Sequence, residues 1–329
     1  EKNIVNDTLQ FALRVDSNKL PSELLRAYAA MELEALAGKN PSGRPSARQK
    51  REARETARNR IEEEAKDGRF LRRKAVPVLW DCQSNELLFG TTSVTLVDRL
   101  LTLFQHTFGI GFEVLTSGTL AFRLAESRGQ SRGIDDAQPS AFVPGLSATD
   151  VAWTVDEADR DFLGNEFFLW LWYYLENEND TLTLSDGSEA TLMLASSLVL
   201  ECPRGQTGRE SISHESPTRL PEARRAIQGG KLPRKTGLIL VRQDSQYELT
   251  LHAESLAVSG AKLPAPEEGD DRARLEERVS QVRHLIETID LVYDRFGAKR
   301  ASQEWTQELG KMQKWLQREE KATKRNAGP

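Results

Sequence analysis

Five arginines, Arg44, Arg48, Arg51, Arg54 and Arg58, recur at intervals of three and four, and Arg72, Arg73 and Lys74 follow closely. Cations at helical spacing suit phosphate neutralisation: each Lys or Arg laid against a polyanion releases condensed counterions, and such contacts carry no base information. A second set, Lys231, Arg234 and Lys235, follows the Gly229-Gly230 pair, where missing Cβ atoms let backbone come close to a phosphate. Net charge is −5, yet Arg44 to Lys74 holds 12 Lys/Arg against 6 Asp/Glu, and Arg204 to Arg242 holds 9 against 3. Both segments are therefore +6 in an acidic chain. Such segregation offers anions a local field, the plainer alternative being two solvated faces.

Catalytic chemistry is thinner. Metal-dependent phosphodiester cleavage needs clustered carboxylates, and Asp156, Glu157, Asp159 and Asp161 form one such cluster, with Glu64-Ala65-Lys66 as an acid-x-Lys pair. The first also reads as a helix start favoured by the dipole, the second as part of a charged helix in water. His106, His214, His252 and His284 show no HxxxH or HExxH spacing, and Cys82 and Cys202 form neither a CxxC nor a Cys/His ligand set. No Walker loop, GxGxxG fingerprint or GxSxG elbow is present. No catalytic residue, metal or cofactor is assigned.

The elements that would carry the cations follow from periodicity. Thr8 to Val15 alternates as a strand. Pro21 opens a helix to Ala37 with Leu24, Leu25, Tyr28 and Met31 inward. Ser46 to Asp67 forms a second helix whose apolar side is thin, mostly Ala53, Ala57 and Ile61. Ala75–Trp80 and Glu86–Phe89 read as a hairpin. Thr92–Phe108 is an amphipathic helix with Leu96, Leu100, Leu103, Phe104 and Phe108 in one stripe, before a strand at Gly111–Leu115 and a helix at Thr119–Glu126. Residues 129–158 lack periodicity. Phe162–Leu175 is aromatic on nearly every face, which suits a buried helix, with Trp170 and Trp172 in the core; a base-stacking platform is the alternative. Strands at Thr181–Leu184, Ala190–Leu194, Ser197–Cys202, Thr236–Arg242 and Tyr247–Glu254 surround a helix at Pro221–Gln228. Leu275 to Phe296 and Trp305 to Leu316 carry heptad-like seams and form a helical hairpin, followed by a basic tail at Lys321–Arg325.

The expected fold class is thus α+β, mixed sheets flanked by helices, with that hairpin at the C-terminal end. Four parts are expected: 1–128, bearing a protruding basic helix at 44–68; 129–175, an irregular insertion and the aromatic helix; 176–265, antiparallel β with one helix; and 266–329. The longest apolar run, Phe167–Leu175, is about half the length a bilayer needs, so no membrane partner is expected. Glu1 lies almost inside a strand, so a preceding segment is expected.

The order of features resembles the recombination-associated RdgC family. The residues that carry it are Leu20-Pro21, Gly43-Arg44, the basic helix, Arg72–Lys74, Trp80-Asp81, Val114-Leu115-Thr116, Gly229–Leu232 and Leu256–Leu263. Phe162–Trp172 resembles a GREFLxWLW segment of longer members sometimes labelled exonucleases, with Asn165 where that pattern has Arg. The resemblance spans roughly residues 8–265 and implies a cytosolic, nucleoid-associated homodimer, ring-shaped, that binds double-stranded DNA without sequence preference. By competing for DNA it would limit access of the RecA recombinase. The DNA-contacting residues expected are Arg44, Arg48, Arg51, Arg54, Arg58, Arg72, Arg73, Lys74, Lys231, Arg234 and Lys235, with Lys231 foremost. A divalent-metal exonuclease and a protein-interaction scaffold working through the helical hairpin are the competing readings.

Overall fold

Alternation from Thr8 onward does make a strand, but a longer one than its pattern suggests. In the computed structural model, which describes residues 3–38, 44–145, 160–203, 207–267 and 269–318, β2 (Thr8–Asn18) pairs along its whole length with β3 (Leu71–Asp81). Short β1 (Ile4–Val5) and β4 (Glu86–Phe89) flank the pair in an antiparallel sheet ordered β1-β2-β3-β4. Leu13, Val76 and Val78 are buried on one face of it.

Between β2 and β3 the chain makes two helices, α1 (Ser22–Ala37) and α2 (Ala47–Ala65). Ser46 starts α2 through a capping box: its hydroxyl accepts from the Gln49 N–H and the Gln49 amide oxygen accepts from the Ser46 N–H, which satisfies two otherwise orphaned donors. Ala53, Ala57, Ile61 and Ala65, four apart, are the buried line of α2, and α1 packs along it. The small side chains suit a close helix pair. Across it the Tyr28 hydroxyl donates to Glu64 at 2.8 Å, and the Arg60 guanidinium lies 4.1 Å from the Tyr28 ring centroid. α1 itself has no fully buried residue. Leu24, Leu25 and Tyr28 are half-buried and Met31, expected inward, is 57% exposed; among the described residues α1 leans chiefly on α2, so its apolar arc is half covered.

The chain divides into two compact units after Leu100, within α3 (Val94–Phe108). Of the expected α3 stripe, Leu100 and Phe104 are buried while Leu103 and Phe108 are exposed.

The second unit is a six-stranded antiparallel sheet under a layer of helices. β5 (Thr181–Thr183), β6 (Glu189–Glu201), β8 (Leu232–Arg242), β9 (Ser245–His252) and β10 (Val258–Lys262) run in the order β10-β9-β8-β6-β5, and β7 (Glu210–Ser213) pairs with β6. α4 (Ser117–Ser127), α5 (Ser131–Asp135), α6 (Phe162–Asn177), α7 (Pro221–Gln228), α8 (Asp271–Arg300) and α9 (Trp305–Gln317) complete it. One apolar cluster joins α4, α6, the sheet and the α8–α9 hairpin, so the aromatic helix, the β part and the C-terminal hairpin share a core. This is an α+β fold with a C-terminal helical pair, and both sheets are antiparallel.

Two close backbone approaches position this unit. A Cβ on Gly164 of α6 would collide with the Ala253 carbonyl, and one on Gly237 of β8 with the Ala195 carbonyl; only glycine fits either place. The second lies where β6 bulges: Ser196 has φ of 66°, and the β6–β8 register shifts there. That bulge is why the sequence reads as two strands and the structure has one. Gly111–Leu115, expected as a strand, is irregular, with Val114 and Leu115 exposed; alternation alone makes no strand without a ladder partner. Among the described residues no helix is long and apolar enough to cross a membrane.

Candidate nucleic-acid interface

The basic helix has its cations concentrated at one end. From Ala47 to Arg54, α2 carries Arg48, Lys50, Arg51 and Arg54 against Glu52 alone, whereas its last turns carry Glu62, Glu63 and Glu64. Arg48, Arg51, Arg54 and Arg58 are exposed within about 120° of arc, and Arg48 to Arg58 spans about 15 Å along the axis. That is about four base-pair steps of duplex. Arg44 is exposed just ahead of the helix. Arg58 pairs with Glu62 at 2.7 Å and Arg60 lies 3.6 Å from Glu64, which neutralises the later turns. Arg48, Lys50, Arg51 and Arg54 have no ion-pair partner among the described residues.

This polarity opposes what helix stability prefers. The macrodipole is positive at the N-terminus, so acids belong in the first turn and cations in the last. α2 has no acid in its first turn and no cation in its last. Stability therefore does not account for where these charges stand.

Arg72, Arg73 and Lys74 are exposed on the first rungs of β3, opposite Ser17, Asp16 and Val15 respectively. Alternation puts Arg72 and Lys74 on one face of the ribbon and Arg73 on the other. Arg14 bonds Asp16 in a bidentate pair, at 2.8 and 2.5 Å, and that hydrogen bond holds the Asp16 carboxyl below its ordinary pKa, with a smaller contribution from Arg73.

The second cluster sits differently. Lys231 caps the turn after α7, its N–H bonded to the Ala226 carbonyl, but its side chain is buried and its ammonium is paired with Glu210 of β7. Arg234 is half-buried between Glu254, at 2.8 Å, and Glu201, at 2.6 Å; Asn165 of α6 donates to the same Glu254 oxygen. Those carboxylates raise the Arg234 pKa against the opposing effect of burial. The arrangement ties α6, β6 and β8 together. Lys235 is half-exposed on the outer side of β8, opposite His252, and burial together with the Lys235 charge lowers the His252 pKa. A Gly-Gly turn followed by Lys signalled an open phosphate site; Glu210, twenty-one residues back along the chain, closes it in a way no local pattern announces.

Of the carboxylate cluster, Asp156, Glu157 and Asp159 lie outside the described residues, and Asp161 accepts from the Gly118 N–H at 3.1 Å. Glu64 is engaged with Tyr28, Arg60 and Arg69. Among the described residues no three His, Cys, Asp or Glu side chains are grouped to hold a metal ion. Trp170 and Trp172 are both buried; Trp172 packs edge-on against Trp315 and donates to Glu176. They are core, not a stacking platform.

No protein-family model matches the chain, and no curated protein matches it.

Proposed function

We propose that the chain binds double-stranded DNA without reading its sequence, through the first three turns of α2 and the Arg72–Lys74 end of the β2–β3 ribbon. The observation that carries this reading is the set Arg48, Lys50, Arg51 and Arg54: exposed, without carboxylate partners among the described residues, and placed against the helix dipole. Unneutralised cations on a rigid helix give sequence-independent affinity through counterion release. Among the described residues their side chains have no ion-pair partner, so none of the ion pairs described has to break when phosphate arrives. With the resemblance to the RdgC family, the reading extends to a nucleoid-associated homodimer that restricts RecA access by occupying duplex. Lys231 and Arg234 are left out of this interface and Lys235 stays in reserve, since the first two are held by carboxylates.

Fluorescence anisotropy on two unrelated duplexes across a salt series tests it. The slope of log K against log[salt] should be the same for both duplexes and should flatten by about 2–3 units in Arg48→Gln/Arg51→Gln/Arg54→Gln. An unchanged slope removes α2 from the DNA path, and a strong preference for one duplex defeats the non-specific reading. Running the series with and without Mg²⁺ on linear duplex, and looking for released nucleotides, separates binding from exonuclease action.

A further inference from the structure

α8 is held unevenly along its length. In its second half Leu285, Thr288, Ile289, Val292, Tyr293 and Phe296 are buried, whereas over residues 271–284 only Val279 is. A segment with so little buried surface opens at low cost unless particular contacts tie it down. Such contacts are present. Arg278 donates to the Pro264 carbonyl at 2.8 Å. Arg242, 3% exposed at the end of β8, bonds Glu287 of α8 at 2.9 Å and Asp186, in the turn between β5 and β6, at 2.7 Å. Another contact joins α8 to β9: the Tyr247 hydroxyl and His284 Nδ1 stand 2.7 Å apart, with the two ring centroids at 5.7 Å.

Of these groups the imidazole changes charge closest to neutral pH. His284 Nε2 is buried and has no hydrogen-bond partner among the described residues. The Tyr247 hydroxyl can give or take the bond to Nδ1, so the neutral ring is served in either tautomer. The imidazolium is not: both its nitrogens donate, and Nε2 would hold an N–H and a share of the positive charge where no acceptor stands. The charged groups that face it are Arg242 from β8 and Glu287 from α8 itself; Asp186 is engaged by Arg242, and β9 offers the neutral phenol of Tyr247, whose own pKa burial raises. Glu287 draws the proton, but its side chain is 59% exposed and bonded to Arg242. Burial and Arg242 outweigh it, and the His284 pKa lies below the ordinary histidine value.

We infer that His284 is an acid-sensitive latch: neutral, it fastens residues 271–284 of α8 to β9, and on protonation it lets that end of the helix lift off the sheet. In the lifted state the imidazole meets water and titrates near its ordinary value of about 6.5. Below that pH the lifted state binds more protons than the closed one, so the opening constant climbs by up to about tenfold per pH unit until the lower midpoint of the closed state is reached. Lifting uncovers the Tyr247 ring, which is 1% exposed when the helix is docked.

Two measurements on the full chain test this, in a His252→Gln background that removes the other histidine of depressed pKa. In an NMR titration the His284 midpoint should fall below that of the exposed His106. Amide exchange over residues 271–284 should run through a local opening, faster than in α6 and insensitive to low urea. Protection there should drop about threefold or more from pH 6.5 to pH 5, and that drop should vanish in His284→Gln, whose amide can still bond Tyr247 and does not titrate. Circular dichroism checks that this variant is folded; if it is not, the titration and the exchange of the His284 chain still decide. A His284 midpoint at or above that of His106, exchange over 271–284 that shares the rate and urea dependence of α6, or an acid drop that persists in folded His284→Gln overturns the latch.

Discussion

The two basic segments have the same formal charge and opposite physical situations. On α2 the cations of the first turns, Arg48, Lys50, Arg51 and Arg54, are exposed and have no ion-pair partner among the described residues; Lys231 and Arg234 are each drawn against carboxylates from elsewhere in the chain. Charge counted along a sequence therefore says little about charge available to a ligand. What decides is whether the fold brings an acid to the same place, and an acid brought there turns a binding group into a fastener. The long antiparallel sheet of the second unit makes such encounters routine, since it sets side by side residues far apart in the chain, as Glu201, Arg234 and Glu254 are. A helix hairpin, whose neighbours are mostly three and four residues away, leaves its outer side to water.

The contrast breaks first at Arg234. Arg234→Ala should destabilise the second unit by about 1–3 kcal/mol in urea unfolding, because Glu201 and Glu254 lose their shared partner. Duplex affinity and its salt slope should hold in that variant. A loss of affinity with unchanged stability would move Arg234 to the side of α2 and erase the distinction.

A finer probe is His252. Its folded pKa is depressed, first by burial and then by Lys235, so below about pH 6.5 the unfolded chain takes up the proton more readily than the folded one. Its contribution to stability is complete above that pH and is lost as pH falls toward the depressed folded value. Lys235→Gln should raise the His252 midpoint in an NMR titration; a midpoint that stays put would show Lys235 already neutralised like its neighbours.

The smallest expected effect lies on α2. Arg48→Gln/Arg51→Gln/Arg54→Gln should shift Tm by no more than about 2 °C, and upward if anything, because cations leave the positive end of the dipole. A large drop would mean that these arginines hold the helix in place.

How far the sequence revealed this depended on whether each feature is local. α2, the aromatic α6 and the α8–α9 hairpin were legible, because spacing along one helix determines which side is wet. The α+β class followed from those elements. Non-local features were hidden. β7 is four residues long and exists only by pairing with β6, and β10 likewise leans on β9; neither has a pattern of its own strong enough to register. Residues Leu71–Lys74 extend β3 beyond its apolar alternation because β2 supplies a rung for each. The cover over Lys231 is of the same kind: Glu210 reaches it only after β6, β7 and the α7 turn have formed.

Asn18 and Leu71 are partners on the final rung of the β2–β3 ladder, so the chain departs and returns at a single point. Whatever happens between them leaves the ladder register untouched, and lengthening such an excursion costs only logarithmically in closure entropy. The helix that bears the cations is thus an inheritance separable from the ribbon that presents it. Descendants of such a chain could lengthen, recharge or discard α1 and α2 while the sheet kept its pairing, which lets the surface offered to a polyanion drift at a faster pace than the scaffold beneath it.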